Sequence, residues 1–298
     1  MATVGRIVRL LPFSCVDGPG NRAVLFLAGC NFDCLACHNP HTIRLCDGCG
    51  ACLPACPTGA LAPAPKSGEG RDTREGRGEG GGLRWDRRRC RECDRCLDAC
   101  PTRSTPKTRL LAPQEVMADL APARPFISGL TVSGGECTLQ PDFLAELLPL
   151  ARAAGLHTLL DSNGNAPPSV WDRLAPLADG VMLDLKAIDE GLHRRLTGAP
   201  LAPVQTSLLH LTGLGKLSEV RHLVVPGYTD DQDHLAALAR WLARMAPGVP
   251  LVLLTFRPHG VRGPLAATPS PTAQTMHRLA DLARQCGMGR VTIRGLLD

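Results

Sequence analysis

RAVLFLAGCNFDCLAC, residues 22–37, joins a short apolar run to three cysteines. The run Arg22–Ala28 has the length and composition of a strand that is buried in a parallel sheet. Parallel α/β folds place their chemistry at the carboxyl ends of strands, and Cys30, Cys34 and Cys37 follow directly after this one. The segment therefore predicts an α/β fold with a metal-binding loop after its first strand.

The spacing of these three cysteines, C-x₃-C-x₂-C, indicates a metal site that is open on one side. A four-iron cluster held by only three thiolates keeps one iron without a protein ligand. An open coordination position is what a catalytic metal requires and a structural metal lacks, as zinc sites show. Taken alone, the triad leaves zinc binding and chance spacing as alternatives.

Eight more cysteines form two runs of identical spacing, C-x₂-C-x₂-C-x₃-C, each followed by proline. The runs are Cys46, Cys49, Cys52 and Cys56, and Cys90, Cys93, Cys96 and Cys100. Bacterial two-cluster ferredoxins use this spacing, and the fourth cysteine of each run ligates the other cluster. We therefore predict one [4Fe–4S] cluster on Cys46, Cys49, Cys52 and Cys100, and a second on Cys90, Cys93, Cys96 and Cys56.

Disulfides and zinc explain the two runs less well. Disulfide frameworks belong to small secreted domains, whereas this chain has 298 residues, and Met1–Leu11 has no apolar run of signal-peptide length. Zinc sites favour two C-x₂-C pairs with a longer spacer. Three cysteines outside the runs, Cys15, Cys137 and Cys286, are interpreted as small apolar residues that pack within the fold.

Composition limits the remaining functions. Aromatic residues make up only 3% of the chain, which leaves few side chains for base stacking, and metal-bound thiolates would change the formal net charge of +5. We therefore expect no nucleic-acid binding. No apolar run reaches membrane-spanning length, so no membrane insertion is expected. Thiolate clusters require a reducing compartment, which predicts a cytoplasmic protein, and we expect a monomer.

Repeated strand–helix units follow in the rest of the chain and predict a parallel sheet. The predicted strands are Arg22–Ala28, Leu130–Ser133, His157–Asp161, Val181–Leu185, Val220–Val225 and Leu251–Thr255, with Val291–Arg294 as an additional last strand. The predicted helices include Pro141–Ala154, Asp231–Ala246 and Pro271–Cys286. A full eight-unit barrel needs about 250 residues, so six units favour a partial (β/α)₆-type parallel barrel.

The two cysteine runs interrupt this pattern between the first strand and the helix near Pro113–Leu120. They are therefore predicted to form an insertion in a βα loop. We predict a partial barrel over residues 1–44 and 108–298 and an inserted two-cluster ferredoxin-like domain over residues 45–107. Residues 66–82 within the insert are polar and glycine-rich, which predicts a flexible linker.

Polar motifs follow most of the predicted strands. They are Ser133-Gly-Gly-Glu136, Asp161-Ser-Asn-Gly164, Asp184-Leu-Lys186, Val224-Val-Pro-Gly-Tyr-Thr-Asp230 and Arg257-Pro-His-Gly260. Each is weak evidence by itself, because loops commonly carry solvated polar residues. Their joint position at one edge of the predicted sheet, together with the open triad, predicts a single active site.

This set of motifs resembles the radical S-adenosylmethionine (SAM) superfamily, and more narrowly the activating enzymes of glycyl-radical enzymes. Val16-Asp-Gly-Pro-Gly-Asn-Arg22 and Cys37-His-Asn-Pro40 resemble the N-terminal signature of that group. The insert resembles its multi-cluster members, and Arg257-Pro-His-Gly-Val-Arg-Gly263 most resembles the YjjW-type activases. The resemblance covers nearly the whole chain.

The resemblance implies three [4Fe–4S] clusters, with a catalytic one on Cys30, Cys34 and Cys37 whose open iron is chelated by SAM. An electron then cleaves SAM, and the resulting 5′-deoxyadenosyl radical abstracts hydrogen from a glycine of a partner glycyl-radical enzyme. A low-potential flavodoxin or ferredoxin is the expected electron donor. The two ferredoxin clusters are expected to relay electrons, with docking of the partner as an alternative.

The same resemblance implies roles for residues outside the triad. The expected SAM-binding residues are Gly134, Gly135, Glu136, Asn163, Asp184, Lys186, Arg221 and His259. The residues that match a monovalent-cation site are Asp161, Ser162, Met182 and Asp184. Glu136 would accept a charge-assisted hydrogen bond from the amino group of SAM. Asp17 is expected to contact the glycine loop of the partner.

The chain departs from the family pattern at three positions. Ala36 stands where an aromatic residue usually precedes the last triad cysteine, so packing around the cluster and adenine has to come from elsewhere. Cys137 stands where proline is frequent and is interpreted as a packed loop residue. Ser162 replaces a common threonine and keeps the hydroxyl group.

Two other functions are compatible with the sequence. One is a radical SAM enzyme that oxidises another protein residue or a small molecule. The other is a non-catalytic iron–sulfur electron carrier. The intact triad and the Gly-Gly-Glu and Asp-Leu-Lys motifs argue against the carrier.

Overall fold

The structure, a computed structural model, describes residues 3–64, 76–77 and 82–296. The chain divides into two compact units, Met1–Cys30 with Asn39–Thr158, and Asn31–His38 with Leu159–Asp298. The cysteine runs belong to the first unit. The predicted linker lies outside the described residues, apart from residues 76, 77 and 82.

The first unit contains seven complete strands and three α-helices among its described residues. The strands are β1 (Gly5–Ser14), β2 (Arg22–Leu27), β3 (Leu61–Pro63), β4 (Gly76–Arg77), β5 (Leu83–Trp85), β6 (Arg109–Leu111) and β7 (Gly129–Gly134). The helices are α1 (Arg95–Asp98), α2 (Pro113–Leu120) and α3 (Pro141–Ala153).

Four of these strands pair in the order β6-β1-β2-β7. β2 and β7 are parallel, and β1 is antiparallel to both of its neighbours. β2 is almost wholly buried, which explains its continuous apolar sequence. β1 has no counterpart among the predicted strands. Its pairing with β2 shifts register twice, and Pro12 lies in the second irregular stretch, as expected for proline in a strand.

Three short strands form a separate antiparallel sheet in the order β3-β5-β4. This sheet belongs to a small apolar cluster of its own, with the buried residues Cys52, Ala60, Leu61, Leu83, Trp85 and Cys96. Two of the six are cysteines of the two runs. The core of this region is therefore built partly from the predicted cluster ligands.

The second unit contains a fully parallel ladder and five helices among its described residues. The strands are β8 (His157–Ser162), whose first two residues belong to the first unit, β9 (Gly180–Asp184), β10 (Leu217–Val224), β11 (Leu251–Thr255) and β12 (Val291–Arg294). The helices are α4 (Pro168–Leu174), α5 (Glu190–Thr197), α6 (Ala202–Gly213), α7 (Gln232–Met245) and α8 (Ala273–Gln285).

Consecutive strands are neighbours throughout this ladder, in the order β8-β9-β10-β11-β12. Parallel neighbours require a crossover connection, and helices supply it between each pair. Asp189 and Asp231 cap α5 and α7 by accepting the amides of Leu192 and His234. The seven predicted parallel strands and the predicted α/β class are confirmed.

The described part of the chain contains no helix that is long and apolar enough to cross a membrane.

Candidate functional site

A tight loop at the end of β7 packs against the residues that lead into Cys30. The amide of Glu136 donates to the carbonyl oxygen of Gly29 at 2.7 Å. A Cβ atom on Gly135 would lie 2.0 Å from the same oxygen, and one on Gly134 would lie 2.2 Å from a backbone nitrogen of β2. Gly134 also has a φ of +121°. Both glycines are therefore required by the close approach of two backbones.

The carboxylate of Glu136 is buried and holds the turn that follows it. It accepts hydrogen bonds from the amide and the hydroxyl of Thr138, at 3.0 and 2.7 Å. The neighbouring Cys137 is fully buried, and burial, followed by the charge of Glu136, raises the pKa of its thiol well above the ordinary value. A buried thiol of this kind is unreactive, which confirms the interpretation of Cys137 as a packed loop residue.

Residues 31–38 carry Cys34 and Cys37 and are held within the second unit. The amides of Asp33 and Leu35 donate to the last two carbonyl oxygens of α5, each at 2.9 Å. These bonds satisfy carbonyl groups that a helix end leaves without intrahelical partners. The carboxyl end of α5 therefore fixes the backbone on both sides of Cys34.

The loop after β11 holds the two ends of the same segment. Arg262 forms an ion pair with Asp33 at 2.9 Å, and the imidazole of His38 contacts the carbonyl oxygen of Arg257 at 3.0 Å. Gly260 has a φ of +78°, and a Cβ atom there would lie 2.5 Å from the carbonyl oxygen of His38. The histidine-containing motif of this loop therefore supports the end of the triad.

Cys34 lies next to an ion pair at the end of β9. Lys186 donates to Asp184 at 2.7 Å, and the two side chains are 22% and 19% exposed. Burial raises the pKa of Cys34 to about 11, although the positive charge of Lys186 opposes the shift. Burial also acts to lower the pKa of Lys186, but Asp184 and Cys34 outweigh it and raise that pKa. The site therefore presents a fixed cation beside a thiol.

Arg221 joins the two carboxylates that were predicted to bind a monovalent cation. Its Nε donates to Asp184 at 2.8 Å, and its Nη2 donates to Asp161. Ser162 and Met182 are buried in β8 and β9. Arg221 therefore lies between the two carboxylates, and the monovalent-cation site stays a prediction.

Asn163 is part of an amide network around the residue that follows Cys30. Its Nδ2 donates to the Oδ1 of Asn31 at 2.8 Å, and the Nδ2 of Asn31 donates to the carbonyl oxygen of Asn165 at 2.6 Å. His259, by contrast, is exposed, and its imidazole makes no hydrogen bond within the part of the chain that the structure describes.

Apolar packing around Ala36 replaces the missing aromatic residue. Ala36 packs against a cluster that contains the fully buried Phe256 and Tyr228, the single tyrosine of the chain. These aromatic rings come from the loops after β10 and β11. That this packing shelters the cluster and adenine stays a prediction.

The glycine-rich segment before β2 is anchored by a buried arginine. Arg22 is 1% exposed and donates to the hydroxyl of Thr131 at 2.7 Å and to the carbonyl oxygen of His157 at 2.7 Å. The hydroxyl of Thr131 in turn donates to the carbonyl oxygen of Asp17 at 2.7 Å. The carboxylate of Asp17 accepts a bond from Ser14 at 2.5 Å. Asp17 is therefore fixed in position while remaining partly exposed.

A pocket in the first unit brings together four cysteines from the two runs. Its lining includes Cys56, Cys90, Cys93 and Cys96. These are the four cysteines whose spacing predicts one of the ferredoxin clusters. Cys93 is exposed, whereas Cys96 is buried.

The other predicted ligand set is also linked across the two runs. Burial raises the pKa of Cys46, and the nearby thiol of Cys100 adds to that shift. Among the described residues, no three His, Cys, Asp or Glu side chains converge as the ligands of a single metal ion would. Each cysteine of a four-iron cluster binds its own iron, so thiols spread around a pocket fit that donor set.

Comparison with protein families identifies the class. Residues 24–239 match the model of the Radical SAM superfamily. The match covers well over half of the chain and includes the triad, the loop after β7 and the ends of β8, β9 and β10. The chain belongs to the radical SAM superfamily.

Similar curated proteins are activating enzymes of glycyl-radical enzymes. The chain is 31% identical to the benzylsuccinate synthase activating enzyme of Thauera aromatica, over 85% of this chain and 79% of that protein. It is 27% identical to the pyruvate formate-lyase-activating enzyme of Staphylococcus aureus, over 76% of this chain and 71% of that protein. The predicted family resemblance is confirmed.

Solved structures support the same fold. A domain of a pyruvate-formate lyase-activating enzyme from Bacteroides vulgatus has a TM-score of 0.50 at 21% identity, covering 56% of this chain and 99% of that one. A radical SAM methyltransferase from Sphaerobacter thermophilus has a TM-score of 0.52 at 17% identity, covering 69% and 62%. These likenesses show an α/β fold with a mostly parallel sheet.

Sequence reasoning missed several residues that hold the site. Asn31 and Arg262 lie within motifs in which only other residues were predicted to belong to the site. Thr138 follows the Gly-Gly-Glu motif. A polar residue within two positions of a candidate ligand was the available signal for Asn31 and Thr138. The pairing of Arg262 with Asp33, 229 residues away, has no local signal.

Proposed function

We propose that the chain is a radical SAM activase that generates a glycyl radical on a partner enzyme. The half-buried thiol of Cys34 beside the Lys186–Asp184 pair carries the proposal for this chain's own site. The names of the relatives, at 27–31% identity, support the choice of a glycyl-radical enzyme as partner.

In the proposed site, Cys30, Cys34 and Cys37 hold a [4Fe–4S] cluster and Lys186 and Asp184 contact SAM. When bound, the cluster supplies the electron for cleaving SAM, which in turn supplies the radical. Lys186 offers a fixed positive charge to a carboxylate, and Asp184 offers an acceptor to a ribose hydroxyl.

The geometry supports the other residues that were predicted to contact SAM to different degrees. Gly134 and Gly135 place the loop after β7 close to Gly29, while the carboxylate of Glu136 already accepts two hydrogen bonds from Thr138. Arg221 is proposed to orient Asp184, and Asn163 to hold Asn31. His259 is exposed and free to contact a ligand. The proposed monovalent-cation site remains Asp161, Ser162, Met182 and Asp184.

We further propose a ferredoxin-like insert over residues 45–107 with two more [4Fe–4S] clusters that relay electrons. The pocket lined by Cys56, Cys90, Cys93 and Cys96 supports one ligand set, and the influence of Cys100 on Cys46 supports the other. Residues 1–44 and 108–298 would then form the partial barrel. Asp17, partly exposed and fixed by Ser14, is proposed to contact the glycine loop of the partner.

The test is anaerobic reconstitution followed by reduction and addition of SAM. Iron and 5′-deoxyadenosine are quantified together, and about twelve irons per chain are expected for three clusters. Cys34→Ala should lose deoxyadenosine formation and retain about eight irons. Cys286→Ala, outside every predicted ligand set, is the matched control and should behave as the wild type. Full cleavage by Cys34→Ala would overturn the assignment of the triad.

Electron paramagnetic resonance then distinguishes the candidate functions. A glycyl radical on an added glycyl-radical enzyme supports the activase. Deoxyadenosine without any such radical would favour oxidation of another protein residue or a small molecule. About eight irons with no deoxyadenosine in the wild type would favour an electron carrier.

A further inference from the structure

The two cysteine runs share one spacing but differ in charge. Asp47 is the one charged residue inside Cys46–Cys56, whereas Cys90–Cys100 contains two arginines and three acidic residues. The surrounding segment is strongly basic. From Arg84 to Arg109, nine basic and four acidic side chains leave a net charge of +5, equal to that of the whole chain. The formal excess charge, counted before any thiolate, is therefore concentrated around the second run.

Five arginines of this segment are exposed and have no partner among the residues that the structure describes. They are Arg87, Arg88, Arg91, Arg95 and Arg103, here called the arginine surface. Their guanidinium groups make no hydrogen bond or ion pair with the described residues. Other basic residues nearby are engaged, since Arg89 donates to the carbonyl oxygen of Thr58 and Arg109 pairs with Asp119. The unpaired cations are thus available to an external partner.

The arginine surface adjoins a predicted electron-transfer site. Arg91 and Arg95 line the same pocket as Cys56, Cys90, Cys93 and Cys96. Cys93 in this set is exposed. A protein that docked on these arginines would therefore approach the thiols directly, and opposite charge would steer and orient its approach.

The composition of the surface favours a protein over a nucleic acid. The nearest aromatic residue in this segment, Trp85, is 7% exposed and belongs to the small apolar cluster. Proteins that bind single-stranded nucleic acids combine basic grooves with exposed aromatic platforms, which the segment lacks. Carboxylate groups on a protein match unpaired guanidinium groups through charge-assisted, bidentate hydrogen bonds.

We propose that the arginine surface is the docking site of an acidic one-electron carrier protein. One electron leaves the reduced carrier and reduces the oxidised cluster held by Cys56, Cys90, Cys93 and Cys96, and no covalent bond changes. The proposal rests on the proposed function, because it requires an iron–sulfur cluster at these cysteines. It gives the two runs different tasks, with electron entry at the second.

Binding of an acidic plant-type [2Fe–2S] ferredoxin, whose potential is about −400 mV, provides the first test. Calorimetry with the reconstituted protein at 50 and 300 mM NaCl should show affinity falling by about tenfold or more, as salt screens exposed charges. Unchanged affinity would overturn the electrostatic docking.

Charge-reversal variants locate the surface. Arg91→Glu/Arg95→Glu and Arg87→Glu/Arg88→Glu should each weaken ferredoxin binding by about tenfold or more. Arg244→Glu/Arg278→Glu changes the same charge at exposed, unpaired arginines of α7 and α8 and should bind as the wild type does. Iron content confirms that each variant is loaded. Equal losses in all three variants would overturn the location.

Assays with two different reductants distinguish a failure of the docking proposal from a failure of the proposed function. With dithionite, Arg87→Glu/Arg88→Glu should form deoxyadenosine at the wild-type rate, whereas ferredoxin-driven formation should fall by about tenfold. Unchanged ferredoxin-driven formation would overturn the docking site alone. No deoxyadenosine from the wild type with dithionite would instead overturn the proposed function. Tighter binding of single-stranded DNA than of ferredoxin, abolished by the same reversals, would identify a nucleic-acid site and overturn the proposal.

Discussion

At the scale of single residues, the position of Cys30 depends on close backbone packing between the loop after β7 and Gly29. Gly135 leaves no room for a side chain, because the carbonyl oxygen of Gly29 lies 2.0 Å from where its Cβ would be. The obstructing atoms belong to backbone, which cannot move aside as a flexible side chain can. The conformation of the residue before Cys30 is therefore coupled to the identity of residue 135.

Gly135→Ala should lower the free energy of unfolding by about 2–3 kcal/mol, because two packed backbones have to separate. Gly289→Ala is the control, since Gly289 is exposed and has nothing within 4 Å of its added Cβ. We expect the control to change stability by less than about 0.5 kcal/mol. Urea unfolding of both variants measures the difference, and equal values would contradict the steric explanation.

His222 is a second residue whose effect can be measured, because it makes the stability of the protein depend on pH. It is fully buried, and its Nδ1 donates to the carbonyl oxygen of Leu185, between Asp184 and Lys186, at 2.8 Å. Burial, followed by the charge of His234, lowers its pKa to about 4. The unfolded chain therefore binds a proton between about pH 6.5 and 4 that the folded chain does not, so stability falls as the pH falls.

The expected loss from His222 is about 2 kcal/mol between pH 7.5 and pH 5. His222→Asn keeps a donor for Leu185 and removes the titrating group, so its stability should fall by correspondingly less over the same range. Urea unfolding at the two pH values measures both slopes. Identical slopes for the variant and the wild type would rule out His222 as the source.

The residues of the site were predictable to the extent that their signals are local. Cysteine spacing and the Gly-Gly-Glu and Asp-Leu-Lys motifs can be read from a few neighbouring positions. The bridge from Arg221 to Asp161 joins residues 60 positions apart, and the sequence did not predict this ion pair. Which cation neutralises a carboxylate is decided by the fold, and no local pattern records it.

At the scale of elements, the parallel strands were predictable because most of them contain a short apolar run followed by polar or glycine residues. β1 was not, since its residues Gly5–Ser14 alternate irregularly, contain Pro12 and are only partly buried. α5 and α6 were missed for related reasons. Their connection is short and the polar sequence of α5 resembles a loop, although Asp189 and Gly198 provide an N-cap and a left-handed C-cap.

Helix α7 allows a direct test of one such cap. The side chain of Asp231 accepts the amide of His234 at 2.8 Å at the start of the helix. Asp231→Ala should cost about 1 kcal/mol, because that amide loses its partner. Asp233→Ala, in the same turn but without a capping bond, should cost a few tenths, roughly 0.3 kcal/mol. Thermal unfolding distinguishes them, and equal losses would show that general helix charge, not capping, is responsible.

At the scale of the whole molecule, the apolar cluster around Trp85 is a small separate core that belongs to the short antiparallel sheet. It contains only six buried residues, and two of them are cysteines. A core this small contributes little burial by itself. If the proposed clusters are bound here, metal ligation should supply much of the stability of this region, as in small metal-dependent domains.

Removing iron should consequently expose Trp85 while leaving Trp171 and most secondary structure unchanged. The fraction of tryptophan fluorescence that acrylamide quenches should rise on iron removal in the wild type. It should not rise in Trp85→Phe, which retains the fully buried Trp171 and the half-buried Trp241. Far-ultraviolet circular dichroism monitors the sheets. An equal rise in the variant would mean that iron removal loosens the second unit instead.

The contacts that α5 and the loop after β11 make with residues 31–38 also limit when the site can form during synthesis. The triad cysteines leave the ribosome early, but α5 and the loop at Arg262 are synthesised about 160 to 225 residues later. At about 5–20 residues per second, this delay is roughly 10–40 s. During that interval two of the three thiols lack their final supports. Assembly of the site is therefore bound to follow translation, and a nascent chain is exposed to oxidation before the finished protein is.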